Sequence, residues 1–115
     1  MRKVYVAHPL RGGTSDFQVI TENMAQADRV LIYLSKEYPD ILFLSPIHAF
    51  SFVSALGPQE WVLGQCLALL DLADELWVFG DWYSSEVCTM EIEHARKLGI
   101  EVLFFDNGMS QEATS

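Results

Sequence analysis

A carboxylate placed among apolar side chains is the first feature of this sequence that could do chemistry. The segment WYSSEVCTMEIEHARKLG, residues 82–99, predicts a helix that begins after the two serines and ends at the glycine. At about 100° per residue, Glu91 falls near the centre of the apolar face of this helix. The same face carries Val87, Cys88, Ala95 and Leu98. An unpaired charge in a protein core is costly, so Glu91 either pairs with a buried partner or lines a cavity, and the spacing leaves both interpretations open.

The elements that would position Glu91 alternate between strand and helix. Continuous apolar runs at 3–7, 41–45, 75–80 and 101–105 predict strands buried on both faces. Helical patterns cover 17–37, 59–73 and the segment after Ser85. We therefore expect a single α/β domain over residues 1–106, with a doubly wound parallel sheet of four to five strands. The order 2-1-3-4 is predicted, with helices on both faces, and residues 107–115 are expected to form a flexible tail.

Polar residues follow each predicted strand. In doubly wound sheets, ligands bind in the crevice outside the carboxyl ends of the strands. The segments that reach this crevice are HPLRGGTSD, PIHAFSF, DWYSSE and DNG. Because the helix of Glu91 begins at the same edge, its second turn is within reach of the crevice, which favours a site over a purely structural carboxylate.

The loop after the first strand has the composition of an anion site. Gly12 and Gly13 allow a tight turn that brings backbone amides close to a ligand, and Arg11 adds a guanidinium for a phosphate or carboxylate. An ordinary Gly-Gly loop with an exposed arginine fits the same residues, because the motif is neither a P-loop nor a dinucleotide-binding fingerprint.

Five further residues at the strand ends are candidate substrate contacts: His8, His48, Asp81, Trp82 and Ser85. A histidine at such a position either contacts a ligand or is simply packed or solvated. Trp82 can stack on a flat ring or shield a subunit contact. Ser85 is a natural helix N-cap that can also face a phosphate.

The remaining chemistry points to a sugar. No Ser-His-Asp order, metal-ligand cluster or CxxC motif can be assembled, so neither a metal nor a cofactor is predicted. Tyr5 lies within the first strand, and Glu91 is a buried carboxylate. A buried carboxylate can attack or stabilise an anomeric carbon that has oxocarbenium character.

The composition limits the class of protein. The chain has 115 residues, 50% hydrophobic and 20% charged, which is typical of one globular domain. Its formal net charge of −9 argues against polymeric nucleic acid as a partner, because binding it requires basic side chains. No apolar run approaches the roughly 20 residues that span a bilayer, and the first residues do not fit a signal peptide. Cys66 and Cys88 form no disulfide framework, so we expect a cytoplasmic protein without membrane contact.

Four segments together resemble the nucleoside 2-deoxyribosyltransferase superfamily: VYVAHPLRGG, LSPIH, ADELWVFGDW and SSEVCTMEIEHARKLGIEV. The sequence is most similar to the 2'-deoxynucleoside 5'-monophosphate N-glycosidase branch and its small relatives. The resemblance covers about residues 4–105 and implies a flavodoxin-like sheet and cleavage of the bond between base and deoxyribose. It also implies a homodimer or higher homo-oligomer in which a neighbouring chain completes the site.

The resemblance assigns roles to individual residues. Glu91 matches the nucleophile that attacks the anomeric carbon, and Tyr5 matches the tyrosine beside it. Gly12, Gly13 and Ser85 match residues that help to bind the nucleotide. Under these assignments, Glu91 faces inward because the sugar lies there.

Two positions depart from the family pattern. Val87 stands where the family places a glycine four residues before the nucleophile, and Cys66 stands where the N-glycosidase branch has an aspartate. Asp81, Glu86 and Glu60 are the carboxylates considered as replacements for that aspartate.

We therefore expect an N-glycosidase or deoxyribosyltransferase-like enzyme that acts on a small nucleoside or nucleoside 5'-monophosphate. The alternative is a non-catalytic nucleotide-binding or oligomeric interaction protein that retains the fold. In that case, Glu91 is merely paired.

Overall fold

Strands and helices alternate along the chain. The computed structural model describes residues 1–10, 16–51 and 58–106. The strands are β1 (Arg2–Ala7), β2 (Ile41–Leu44), β3 (Glu75–Val78) and β4 (Glu101–Phe104). The helices are α1 (Phe17–Glu37), α2 (Pro46–Ala49), α3 (Gln59–Leu70) and α4 (Glu86–Leu98), and a 3-10 turn covers Trp82–Ser84. The tail at 107–115, predicted to be flexible, lies outside the described residues.

The strands of the described residues form one parallel sheet in the order β2-β1-β3-β4. The predicted doubly wound, flavodoxin-like α/β fold and its strand order are therefore confirmed. β1 lies between β2 and β3, and its register pairs Tyr5 with Leu44 on one side and Leu76 on the other. Because all strands run in one direction, the segments that follow them meet at one edge of the sheet.

Helices cover both faces of the sheet. One face packs on α1 through a buried cluster of Val4, Val6, Val30, Leu34, Trp77, Phe79 and Phe105. The other face packs on α3 and α4 through Tyr5, Ala7, Leu70, Ala73, Leu76, Val78, Cys88, Ile92 and Ala95. Since side chains alternate along a strand, Tyr5 extends towards α3 and α4, where Glu91 is carried.

Helix α4 begins and ends as the sequence predicts. The Ser85 side chain accepts a hydrogen bond from the backbone N–H of Cys88, and Gly99 ends the helix with a φ of 76°. The buried face consists of Cys88, Glu91, Ile92 and Ala95. Val87 and Leu98, predicted to lie on this face, lie at its margins and are 43% and 45% exposed. The helix contacts the sheet through Ile92 and Ala95, which turns the two marginal residues towards solvent.

Two short elements and one boundary differ from the prediction. Helix α2 and the 3-10 turn were not expected, because each spans too few residues to show a periodic pattern. Helix α3 ends at Leu70, three residues before the predicted end, although the residues that follow are still apolar in part. The chain turns there because Asp74 is tied to Lys3 of β1 by two hydrogen bonds of 2.8 Å.

In the described part of the chain, no helix combines the length and the apolar character that crossing a membrane requires.

Candidate functional site

A cleft of about 610 Å³ opens at the carboxyl edge of the sheet. It is enclosed by α1, α2, α3, the first two turns of α4 and the residues that follow β1. Its volume is within the usual range of small-molecule sites, roughly 300–1,000 Å³. Most of the side chains that line it are apolar, and Phe17, Ile20, Met24, Ile47, Phe50 and Val62 are among them. We call this space the cleft throughout.

Glu91 reaches the cleft from α4. Its side chain is nearly inaccessible, with 2% of the residue exposed, and Tyr5 beneath it is completely buried. The Tyr5 hydroxyl donates a hydrogen bond to Glu91 Oε2. Among the described residues, no lysine, arginine or histidine forms a salt bridge with Glu91. Within that part of the chain, Glu91 is a cavity-lining carboxylate rather than one half of a buried ion pair.

The protonation of this pair follows from its burial. Burial raises the pKa of Glu91 to about 7, and the hydrogen bond from Tyr5 acts in the opposite direction by favouring the ionised form. Burial also raises the pKa of Tyr5 well above its ordinary value, and the neighbouring Glu91 charge raises it further. Tyr5 is therefore a permanent hydrogen-bond donor at neutral pH, whereas Glu91 exists in both protonation states.

Two thiols accompany the carboxylate. Cys66 of α3 lines the cleft, and Cys88 lies one turn before Glu91 on α4. Burial and then the charge of Glu91 raise the pKa of Cys66 to about 11, although a hydrogen bond with Tyr5 opposes this. The same two causes raise the pKa of Cys88 to about 12. Both thiols are consequently neutral at physiological pH.

His8 also lines the cleft and is 6% exposed. Its Nδ1 lies 2.7 Å from the backbone oxygen of Pro9, which can only accept, so Nδ1 carries the proton. Nε2 is then an unprotonated acceptor, and it has no hydrogen-bond partner among the described residues. Burial lowers the pKa of His8, which keeps the ring neutral.

His48 does not line the cleft itself, but it contacts Asp28, which does. Its Nε2 lies 2.5 Å from Asp28 Oδ1, and its Nδ1 lies 2.6 Å from Ser45 Oγ. Asp28 lines the cleft, whereas His48 lines a separate cavity of about 400 Å³. Sequence patterning did not single out Asp28, although its place four residues after Met24 on α1 was the available signal.

The other predicted residues divide into three groups. Ser85 lines the cleft while capping α4. Trp82 packs on Phe104 with ring centroids 5.2 Å apart, and Asp81 is exposed and accepts a hydrogen bond from the Tyr83 hydroxyl. Neither Trp82 nor Asp81 is among the described residues that line the cleft. The predicted anion-binding residues Arg11, Gly12 and Gly13 lie outside the described residues.

A metal site requires several ligating side chains grouped close together. Within residues 1–10, 16–51 and 58–106, no three His, Cys, Asp or Glu side chains are grouped so that they could hold a metal ion.

Comparison with known proteins identifies the fold. No protein-family model matches the chain, and no curated protein matches it. A solved 2-deoxyribosyltransferase from the psychrotolerant bacterium Bacillus psychrosaccharolyticus is similar in structure, with a TM-score of 0.61 and 22% sequence identity. The match covers 98% of this chain and 77% of that enzyme. A 2-deoxyribosyltransferase from Leishmania mexicana matches with a TM-score of 0.61 and 14% identity, over 98% of this chain and 79% of that chain. The protein thus shares the fold of 2-deoxyribosyltransferases.

Proposed function

We propose that this protein is an N-glycosidase or deoxyribosyltransferase-like enzyme that cleaves the base–sugar bond of a small (deoxy)nucleoside or nucleoside 5'-monophosphate. The observation that carries the proposal is the state of Glu91. It is a buried carboxylate that lines a ligand-sized cleft, receives a hydrogen bond from Tyr5 and has no cationic partner among the described residues. The fold shared with 2-deoxyribosyltransferases supports the same conclusion.

In the proposed reaction, ionised Glu91 is the nucleophile. One carboxylate oxygen forms a bond to the anomeric carbon while the carbon–nitrogen bond breaks, and its electron pair leaves with the base. Tyr5 occupies Oε2, which orients the carboxylate and leaves Oε1 for attack. Water, or a second base, then displaces the sugar from the glutamyl ester. The leaving base takes a proton from solvent, the attacking water or second base gives one up to solvent, and the carboxylate is regenerated.

The walls of the cleft support a nucleobase as the leaving group. Phe17 and Phe50 lie among its aliphatic lining residues. Aromatic and aliphatic side chains of this kind bind flat rings through apolar burial and stacking. We therefore place the base against these walls and the sugar at Glu91.

A non-catalytic nucleotide-binding or oligomeric interaction protein is the second candidate, and one observation favours it. Departure of a base is aided by a positioned acid, which typically contributes about 10²–10⁴-fold. At Cys66, the structure offers a neutral thiol instead of a carboxyl group. Asp28 is the described carboxylate other than Glu91 that lines the cleft, and it is bound to His48. The carboxylates Glu60, Asp81 and Glu86 are not among the described lining residues.

The test of catalysis uses a panel of nucleosides and nucleoside 5'-monophosphates. Binding is measured by thermal shift and reaction by release of free base. Glu91→Gln keeps the size and much of the hydrogen bonding of the side chain, but it removes the negative charge. We expect base release to fall by orders of magnitude while binding survives. Glu93→Gln is the matched control, because Glu93 is exposed on the same helix. Unchanged base release by Glu91→Gln would refute the assignment of the nucleophile.

Variants at the two positions that depart from the family pattern, Cys66 and Val87, distinguish an enzyme from a binding protein. Val87 lines the cleft and is 43% exposed. For an enzyme, the double variant Cys66→Asp/Val87→Gly should raise base release above that of the natural protein. If base release stays at background across the panel for both the natural protein and the double variant while ligands bind, the protein is a binding protein rather than an enzyme.

A further inference from the structure

Asp28 is an accessible carboxylate on the wall of the cleft that α1 forms. It lines the cleft, and its side chain is 52% exposed, so a molecule bound there can reach it. Its Oδ1 lies 2.5 Å from His48 Nε2, and His48 is not among the described residues that line the cleft. The carboxylate is therefore open to the cleft and held by a residue outside it.

The hydrogen bonds that hold Asp28 have a fixed direction. An ionised carboxylate can only accept, so His48 Nε2 carries the proton and donates it to Oδ1. Nδ1 of the same ring then accepts from the Ser45 hydroxyl, 2.6 Å away. Ser45 is the N-cap of α2, but its side chain makes no capping hydrogen bond, and its hydroxyl is used for His48 instead. This chain of two hydrogen bonds orients the carboxylate before any ligand arrives.

Asp28 keeps acceptor capacity that the protein does not use. In the described part of the chain, its Oδ2 has no hydrogen-bond partner, and Oδ1 retains a second lone pair. No lysine or arginine is among the described residues that line the cleft, where the charged side chains are Asp28 and Glu91. The groups that complement Asp28 are therefore N–H or O–H donors of a ligand.

The position of Asp28 assigns it to the base rather than to the sugar. Phe17, Met24 and Asp28 recur at helical spacing along α1, and all three line the cleft. The other aromatic wall, Phe50, follows α2, the helix that carries His48. Since the sugar is placed at Glu91 of α4, a base against the aromatic walls lies beside the two helices that present and orient Asp28.

The two oxygens of a carboxylate match two N–H donors that lie side by side. Guanine presents such a pair on one edge, namely its ring N1–H and its exocyclic amino group. Adenine presents an amino group beside a ring nitrogen that is an acceptor, and a carboxylate repels that acceptor. Thymine presents one N–H between two carbonyl oxygens, and cytosine resembles adenine in pairing a donor with an acceptor. Among the common bases, guanine is therefore the best match to Asp28.

We propose that Asp28, oriented by His48, is the specificity-determining residue of the cleft and selects guanine over adenine by accepting hydrogen bonds from the N1–H and amino groups of the base. This inference rests on the proposed function, because it assumes a nucleoside or nucleotide ligand. It adds the residue that recognises the base and the base that it favours.

The first test measures binding by calorimetry in a Glu91→Gln background, so that turnover does not interfere. The probes are deoxyguanosine, deoxyinosine, which lacks the exocyclic amino group, and deoxyadenosine. We expect deoxyguanosine to bind tightest, deoxyinosine about tenfold more weakly and deoxyadenosine more weakly still. Equal binding of deoxyguanosine and either of the other two nucleosides would overturn the proposal.

The second test adds Asp28→Asn to the same background. The amide keeps the shape of the side chain and an oxygen that can accept from His48, but it replaces the other oxygen by an N–H donor. Deoxyguanosine should bind about tenfold more weakly, whereas deoxyadenosine should bind as tightly as before or more tightly, because the amide can donate to its ring nitrogen. A merely structural role of Asp28 would weaken both nucleosides equally, and that result would refute the proposal.

Asp71→Asn is the matched control. Asp71 also bonds a histidine through Oδ1, since His94 Nε2 lies 2.6 Å away, but it is not among the described residues that line the cleft. This variant should leave both affinities unchanged. If Asp28→Asn does not fold, the order of the three nucleosides in the Glu91→Gln protein decides the matter. Loss of the guanine preference leaves the proposed function intact as long as nucleosides bind, whereas failure of every nucleoside and nucleotide to bind would overturn both.

Discussion

Glu91 is held between two opposing effects. Burial favours its neutral form, whereas the Tyr5 hydroxyl favours its ionised form, and the resulting pKa is about 7. A glutamate with a pKa of about 7 gains and loses its proton near physiological pH. The proposed nucleophile must be ionised, so both the stability and the activity of the protein should depend on this one group.

The first prediction concerns stability. The pKa of Glu91 is about 7 in the folded protein, above its ordinary value of 4.5, so the folded state holds its proton more tightly. The stabilising contribution is therefore complete below about pH 4.5 and is lost as the pH rises through 7. The shift of the pKa from 4.5 to about 7 corresponds to about 3 kcal/mol of unfolding free energy between the two ends of this pH range. Glu91→Gln should consequently be more stable than the natural protein at pH 8 and nearly equal to it at pH 4.5, as measured by urea unfolding.

Glu93→Gln is the control for this measurement, because it removes the same charge from an exposed position on α4. It should leave the pH dependence of unfolding unchanged. A natural protein and a Glu91→Gln variant with parallel stability curves from pH 4.5 to 8 would show that Glu91 titrates normally.

The second prediction concerns the pH dependence of base release. If Glu91 is the nucleophile, kcat/KM should rise with pH through about 7 as the free protein loses the Glu91 proton. Tyr5→Phe removes the hydrogen bond that lowers this pKa, so the rise should move to higher pH and the maximum should fall. Tyr83→Phe, which removes an exposed hydroxyl bound to Asp81, should change neither. A profile in Tyr5→Phe with an unmoved midpoint would contradict the coupling of Tyr5 to Glu91.

At the scale of elements, the third prediction compares two glycines. Both have a backbone conformation that strains other residues, but only one of them is also crowded by neighbouring atoms. Gly80 and Gly99 have φ angles of +71° and +76°, but only Gly80 has atoms within 4 Å of an added Cβ. Alanine at either position should lower the unfolding free energy by about 1–2 kcal/mol through backbone strain. Gly80→Ala should also displace His8 and weaken nucleoside binding, whereas Gly99→Ala should not. Equal binding by both variants would show that Gly80 does not position His8.

The elements themselves were largely predictable from the sequence. The strands of the described residues were located within two residues, because each forms a continuous apolar run. Only the inner strands β1 and β3 are largely buried, whereas β2 and β4 at the sheet edges are partly exposed. Helix α1 matched over residues 17–37, since its long stripe has a clear period. Helix α3 was extended too far, because the hydrogen bonds that join Asp74 to β1 connect distant parts of the chain and leave no local pattern.

The site was predictable to the extent that it depends on single elements. The inward direction of Glu91 follows from the period of α4, and the structure places it in the cleft. The spacing from Met24 could have placed Asp28 on the cleft side of α1, but its contact with His48, 20 residues away, could not be predicted because it depends on how α1 packs beside the end of β2. Trp82 sits at a strand end as predicted, but its ring turns to Phe104, a contact that only the packed sheet reveals.

At the scale of the whole molecule, charge carries the fourth prediction. The net charge is −9, and two of the acidic residues, Asp28 and Glu91, line the cleft, so a nucleoside 5'-monophosphate approaches against a repulsive field. Salt screens this field over about 10 Å at roughly 0.1 M. If the loop with Arg11 binds the phosphate, the preference for nucleotide over nucleoside should be greater at higher salt than at low salt. Arg11→Ala should abolish the preference, as measured by calorimetry, and equal binding of both ligands to the unsubstituted protein would remove the phosphate site.

The predicted homo-oligomer remains a prediction at this scale. Trp61 and Leu72 are 45% and 61% exposed in a single chain. Light scattering after size-exclusion chromatography measures whether copies of the chain associate.

The two thiols beside Glu91 have a consequence for the reactivity of the protein towards electrophiles. Alkylation requires the thiolate, and both Cys66 and Cys88 hold their protons up to strongly alkaline pH. Iodoacetamide should therefore label the folded protein slowly. The charge of Glu91 contributes to this protection, so Glu91→Gln should accelerate the labelling of Cys66 at pH 8.5, where the natural carboxylate is ionised. Because Cys66 faces the cleft, a bound ligand should slow the reaction again, and the rate of a simple covalent label then reports whether the cleft is occupied.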